Sequence, residues 1–227
     1  MSTDRTRHKS VIHSLNLQKD PSARIDLRRS DSRLRYRALL DAAAELFIEV
    51  GFEAASLNEL VKRAGGSKSS IYTYFRDKDG LFVAVIDDMV DDLLVPLNRP
   101  MQTGRPLAET LRELADHTLD VLTSKKGMGL SRIVVTESPR FPGIGHHFFE
   151  HGPGQAISRL AEHLQQLASA GQISCEDPEL AAEAFWGMLL HRPMLEGYCA
   201  VAKPMSKKTR QRYVDRIVCA FVSSFCR

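Results

Sequence analysis

Apolar residues recur at spacings of three and four over most of the chain from residue 32 onward, and no strand-like alternation competes with them. A first helix is predicted over residues 32–50, with Leu34, Ala38, Leu39, Ala42, Ala43, Leu46, Phe47 and Val50 on its apolar side and Gly51 as its terminator. The stretch LNELVKRAGGSKSSIYTYF, residues 57–75, follows. Ser56 stands before it and Glu59 lies three residues on, the spacing of a capping box. Leu57, Leu60, Val61 and Ala64 share one face of this short helix. Gly65 and Gly66 end it, because glycine tolerates the left-handed backbone that turns a chain. Ser67 then caps a second helix of about two turns. Ile71 and Phe75, four apart, point that helix toward a core and leave Lys68, Ser69, Ser70, Tyr72, Thr73 and Tyr74 mostly outward.

A long helix is predicted over residues 77–97, with Leu81, Val85, Ile86, Met89, Leu93 and Leu94 on one side. Asp87, Asp88, Asp91 and Asp92 break its other faces and read as a solvated surface. Further helices are expected over residues 107–123, 130–138, 143–150, 154–170, 178–198 and 207–225. Breakers fall at Lys126-Gly127, Pro139, Gly152-Pro153, Gly171 and Pro204.

Two tyrosines, a lysine and several hydroxyls on one short helix are a poor recipe for ordinary solvated surface. They suit a phosphate backbone and base edges, where the helix N-terminus adds its own partial positive charge. Two helices joined by a tight turn, the second short and polar at its leading end, form the helix-turn-helix reader whose second helix fits the major groove. Many helical hairpins share that pattern. Here residues 36–82 resemble the N-terminal domain of the TetR family of bacterial regulators, through AAAELFIEVGFEAASLNELV, AGGSKSSIYTYF and RDKDGLF. Gly66 stands where the family usually has an apolar residue, and Ser69 where glycine or proline is common. The segment SRIVVTESPRFPGIGHHFFEHGPGQAISRLAEHL resembles the C-terminal domain of the AefR-like branch.

The resemblance implies that Lys78 holds a phosphate and that Tyr72 and Tyr74 pack on or hydrogen-bond the DNA backbone. Lys68, Ser69, Ser70 and Thr73 take base-facing places beside the cap Ser67, and Asn58 matches a position that can read a base. Tyr74 and Tyr72 also suit partial burial against the first helix. Arg33, with Arg35 and Arg37, sits in the first turns of the first helix, against the helix dipole, so flanking phosphates are its expected partners.

The expected architecture is all-α. A basic arm, disordered when free, spans residues 1–31; a helix-turn-helix DNA-binding head spans residues 32–80; a C-terminal ligand-binding and dimerisation domain spans residues 81–227. The implied function is that of a repressor. Residues 178–198 and 207–225 would pair with a second copy as a four-helix bundle, so the homodimer would bind a palindromic double-stranded DNA operator. An unidentified small-molecule effector, held between the long helix and those around Ile133 and Phe148, would release it. Met89, Ile133, Phe148, Trp186 and Met188 are the candidate pocket residues, although the stripe around Trp186 and Met188 also reads as core or dimer surface. The alternative is a small-molecule-binding or metal-binding protein whose head has lost DNA binding.

Composition adjusts this picture modestly. The 227 residues are 43% hydrophobic, enough for a packed core, and the net charge is only +3. Through residue 37 ten basic residues stand against four acidic ones, a local +6, so the remainder is net −3: a basic arm leads into an acidic body. No apolar run is long enough to span a bilayer, and the charged N-terminal stretch is unlike a signal peptide, so a soluble cytoplasmic protein is expected. Cys175, Cys199, Cys219 and Cys226 show no metal-ligand spacing and are expected as free thiols, with Cys219 and Cys226, seven apart, on one helix face. His146, His147 and His151 cluster beside Glu150, but no further ligand is placed, and they read as surface or interface. With no nucleophile elbow, phosphate-cradling glycine loop or carboxylate pair, neither an enzyme nor a cofactor is expected.

Overall fold

A computed structural model of the chain describes residues 30–65, 67–98 and 105–226. Gly66 and all but the last two residues of the proposed arm lie outside these. Regular structure among the described residues is helical throughout: α1 (Ser30–Ala54), α2 (Leu57–Ala64), α3 (Lys68–Phe75), α4 (Lys78–Leu94), α5 (Leu107–Thr123), α6 (Lys125–Glu137), α7 (Pro142–His151), α8 (Pro153–Ser169), α9 (Pro178–Tyr198) and α10 (Lys207–Phe225). They pack as two compact units. Of the described residues, the first holds those up to Val90 together with Gly129–Phe149; the second holds those from Asp91 to Met128 and from Glu150 onward. The head expected at residues 32–80 lies within the first.

In the first unit, α1 buries Leu39, Leu40, Ala43, Leu46 and Phe47. Leu34 and Val50, expected on this seam, are exposed. Leu34 lies five residues before Leu39, well round the helix from the buried line. Gly51 breaks the helix as expected, at φ 79° and ψ 166°, but one more turn follows through Ala54. That break turns Phe52 fully into the core, where its ring meets Phe82 at 4.7 Å, Phe47 at 5.6 Å and Phe141 at 6.1 Å.

The first half of α4 is buried on every side from Leu81 to Ile86, because six successive apolar residues leave no polar face. The solvated acidic surface expected here is only partly so. Asp91 and Asp92 are exposed, whereas Asp87 and Asp88 are half-buried and taken by partners. His147 Nε2 lies 2.5 Å from Asp87 Oδ1, and Arg37 Nη1 donates to Asp88 Oδ1 at 2.5 Å. His147 is thus no surface residue, its side chain being 12% exposed.

In the second unit, α9 packs on α5, α8 and α10, and α10 packs on α5. Phe185, Leu189 and Phe221 are fully buried at the centre. Arg210 on α10 reaches Asp116 and Asp120 on α5, and Arg112 Nε donates to Asp215 Oδ1 at 2.8 Å. The break expected at Lys126-Gly127 falls earlier. Ser124 Oγ accepts from Gly127 N at 2.9 Å and caps α6, while Gly127 sits where a Cβ would strike the Val121 carbonyl. Cys219 is exposed and Cys226 buried, so the two do not share a face: Cys226 lies past the end of α10 in non-helical backbone.

Candidate nucleic-acid interface

The approach to α3 is fixed from both ends. Ser56 Oγ accepts from Glu59 N at 3.1 Å, so half of the capping box forms. Glu59 does not complete it: its carboxylate accepts from Arg63 Nε at 3.1 Å, a neighbour one turn on. Arg63 also donates to Glu49 at 2.7 Å and so fastens α2 to α1. Gly65 ends α2 with φ 66°, a backbone angle that side chains other than glycine disfavour. Ser67 then caps α3, accepting from Ser70 N at 3.4 Å.

Eight residues make α3, and its two sides differ sharply. Ile71 and Phe75 are buried in the first unit. Lys68, Ser69 and Thr73 are exposed, and Tyr72 presents 55% of its surface. Ser70 is half-buried with its hydroxyl 3.4 Å from that of Ser67, so it serves the cap. Tyr74 is half-buried, meeting the Tyr36 ring edge-on at 5.8 Å. Tyr36 also lies 5.0 Å from Phe75 and so seats α3 on α1, a role the apolar stripe of α1 did not reveal.

The exit from α3 is equally determined. Arg76 takes a positive φ of 70° while its N–H donates to Tyr72 O at 3.0 Å. Asp77 Oδ1 accepts from Gly80 N at 2.7 Å and caps α4. A Cβ at Gly80 would fall 2.1 Å from Phe75 O, so only glycine lets α4 start this close to the end of α3. Lys78 Nζ donates to Glu53 O at 3.0 Å and lies 4.7 Å from the centre of the Phe52 ring.

Asn58 is exposed on the first turn of α2, and Arg33 is exposed on α1. Arg37, one turn on from Arg33, is not left to phosphates: besides Asp88 it pairs with Asp41 at 3.3 Å. The candidate effector residues fall in both units. Met89 and Ile133 are buried and Phe148 half-buried in the first; Trp186 and Met188 belong to the second. Trp186 is already satisfied there, donating from Nε1 to Ala156 O at 3.2 Å and packing against Phe185 at 5.1 Å.

Residues 39–85 match the family described as bacterial regulatory proteins of the tetR family, and residues 109–226 match the AefR-like transcriptional repressor C-terminal domain. The chain belongs to the TetR family. The family is one of DNA-binding transcriptional regulators, a non-enzymatic class. A TetR-family chain from Mesorhizobium loti has the same fold with a TM-score of 0.71 and 28% identity, over 87% of this chain and 99% of that one. The flavonoid-responsive regulator FrrA superposes with a TM-score of 0.67 at 29% identity, over 85% of this chain and 97% of FrrA. The transcriptional activator FasR of Mycolicibacterium smegmatis is 33% identical over 84 residues, 37% of this chain and 38% of FasR. The chain thus spans well under half the length of the curated relatives that FasR represents. Among the described residues no helix is long and apolar enough to cross a membrane.

Proposed function

We propose that this TetR regulator is a repressor that binds a palindromic DNA operator as a homodimer and is released by a small molecule. The observation that carries the reading is the division of α3. Its buried side holds Ile71 and Phe75 rigidly, while Lys68, Ser69, Tyr72 and Thr73 stand clear beside a capped N-terminus. Lys68 and that N-terminus suit phosphate, and the hydroxyls suit base edges. Asn58 and Arg33 extend the contact to either side, and Ser67, Ser70, Tyr74 and Lys78 fix its frame. Such a role operates in the cytoplasm, where the chromosome is.

The dimer reading is supported by α9. Leu180, Gly187, His191, Leu195 and Tyr198 follow one another at helical spacing and are all exposed, a stripe with three large apolar side chains open to a second copy. Two α3 helices related by a two-fold axis meet successive major grooves when about 34–36 Å apart. The sign of regulation follows the C-terminal match, whose family is described as repressors, over the activator FasR, which matches over only 37% of the chain.

The effector reading centres on Met89, Ile133 and Phe148 in the first unit. Ser131, on the same helix as Ile133, is 2% exposed and its hydroxyl lacks a hydrogen-bond partner, a group that a polar ligand atom would satisfy. The responsiveness named for FrrA makes flavonoids the first class to screen. Release requires that the ligand prefer the non-binding pose, since equal affinity for both shifts nothing.

The test is a mobility shift with the DNA upstream of the protein's own gene across a salt series, followed by footprinting. A competitor-resistant complex that protects a palindrome supports the reading. Failure to select any sequence from a random-site library would overturn it.

A further inference from the structure

Arg76 stands at the point where α3 ends, and its backbone takes a conformation that side chains disfavour. Its own N–H still donates to Tyr72 O at 3.0 Å, so its amide stays in register with α3. The chain then turns within three residues: Asp77 N donates to Phe75 O at 2.9 Å, and Arg76 between them has φ 70° and ψ −48°. That is a γ-turn of the positive-φ kind, which is rare and strained, and glycine is the residue that adopts positive φ freely. An arginine there destabilises the fold relative to glycine, and strain of this sort gathers at functional positions.

The described fold does not draw on the Arg76 side chain. It is exposed, and among the described residues its guanidinium meets no carboxylate. Its neighbours differ: Arg37 pairs with Asp41 and Asp88, Arg63 with Glu49 and Glu59, and Lys78 donates to Glu53 O. Those cations fasten α2 and α4 to α1. Asp77, the carboxylate next to Arg76 in sequence, accepts from Gly80 N at 2.7 Å and is taken up in capping α4. Lys68, Tyr72 and Arg76 follow one another at steps of four, and all three are exposed.

We propose that Arg76 is a phosphate-contacting residue of the DNA interface, presented to the backbone of bound DNA by the turn that closes α3. The inference rests on the reading of α3 as the helix that enters the major groove. Lys68 and Arg76 are eight residues apart, about 12 Å along the helix axis, and the major groove is about 12 Å wide. Cations at the two ends of α3 therefore face the two sugar–phosphate walls, and the hydroxyls between them face base edges. Arginine suits the place because its planar guanidinium holds two oxygens of one phosphate at once. The contact is blind to sequence: it fixes how α3 sits in the groove and leaves base choice to Ser69 and Thr73.

The experiment compares full-length wild type, Arg76→Ala, Arg76→Gly, Arg76→Lys and, as a reference, Lys68→Ala on the duplex that the wild type selects from a random-site library. Affinity is followed across a salt series, and urea midpoints are measured beside it. Arg76→Ala should bind about fivefold to tenfold more weakly at ~0.1 M salt, and its log–log salt slope should be shallower by about one, the signature of one lost phosphate contact. The loss should be uniform across single-base variants of the duplex. Arg76→Lys should keep the wild-type slope. Arg76→Gly separates contact from fold: it should lose as much affinity as Arg76→Ala while its urea midpoint stays at or above that of the wild type, since glycine relieves the turn. Three results would overturn the proposal: wild-type affinity in Arg76→Ala, weaker binding with an unchanged slope, or a loss in Arg76→Gly that comes with a lower midpoint and so marks a structural residue. A weakened Lys68→Ala beside an unaffected Arg76→Ala would remove Arg76 alone from the interface. A wild type that selects no duplex would bring down the reading of α3, and Arg76 with it.

Discussion

Lys78, the first residue of α4, donates to the carbonyl of Glu53 in the last turn of α1 at 3.0 Å and covers the Phe52 ring at 4.7 Å. The last carbonyls of a helix lack partners within it, and a cation there also meets the negative end of the dipole. One ammonium thus ties the helix that leaves the reading head to the helix that supports it. A phosphate held by Lys78 would draw on a side chain already oriented.

Lys78→Ala should therefore do two things at once. Loss of the helix-end cation and of the contact with Phe52 should cost about 1 kcal/mol of stability, read as a lower urea midpoint. Operator affinity should fall by about tenfold or more, which corresponds to about 1.4 kcal/mol. A variant with unchanged midpoint and unchanged affinity would leave Lys78 with neither role.

The two outward tyrosines of α3 are predicted to separate. Tyr72 is 55% exposed, so Tyr72→Ala should weaken operator binding and leave the unfolding midpoint where it is. Tyr74 packs edge-on against Tyr36, and such pairs contribute about 0.5–1.5 kcal/mol beyond area burial, so Tyr74→Ala should lower stability as well as binding. Equal stability losses in the two variants would contradict the division of α3 into a seated and a free side.

Gly80 tests the geometry instead of the chemistry. A Cβ there would approach Phe75 O to 2.1 Å, and the obstacle is backbone, which cannot swing away as a side chain can. Gly80→Ala should cost about 1–3 kcal/mol, the range for overpacking a close contact, and should reduce DNA binding by displacing the end of α3. If it unfolds at the wild-type midpoint, α4 does not start as close to α3 as described.

How much of this was legible beforehand depends on the range over which each feature is decided. Ser56 and Ser67 cap their helices, Gly51 breaks α1, and Ile71 and Phe75 turn inward, all as the sequence suggested. Each rests on a spacing of a few residues that propensity and periodicity can read. What escaped were pairings between distant segments. Arg37 meets Asp88 across 51 positions and His147 meets Asp87 across 60, so two aspartates that looked like solvated surface are structural partners. Helical periodicity put Cys219 and Cys226 on one face, whereas Cys226 lies buried past the end of α10 in non-helical backbone. Glu59 shows the same limit at short range, since Arg63 competes for it and leaves the capping box half-made.

His163 on α8 is 7% exposed, and burial holds its pKa below the ordinary value of 6.5. Folding therefore favours its neutral form. Above the ordinary value both folded and unfolded states are neutral at this residue, and it exacts no penalty. As pH falls below about 6.5 the unfolded state takes up the proton first, so stability is lost progressively until the lowered folded pKa is passed. His163→Gln removes the titration while keeping a polar side chain of similar size. Urea midpoints followed from pH 7.5 to pH 5.5 should fall more steeply for the wild type than for the variant. The comparison is one of slopes, so a constant offset caused by the substitution itself does not affect it. Parallel profiles would mean that His163 gains a compensating partner on protonation, and the burial argument would then be wrong.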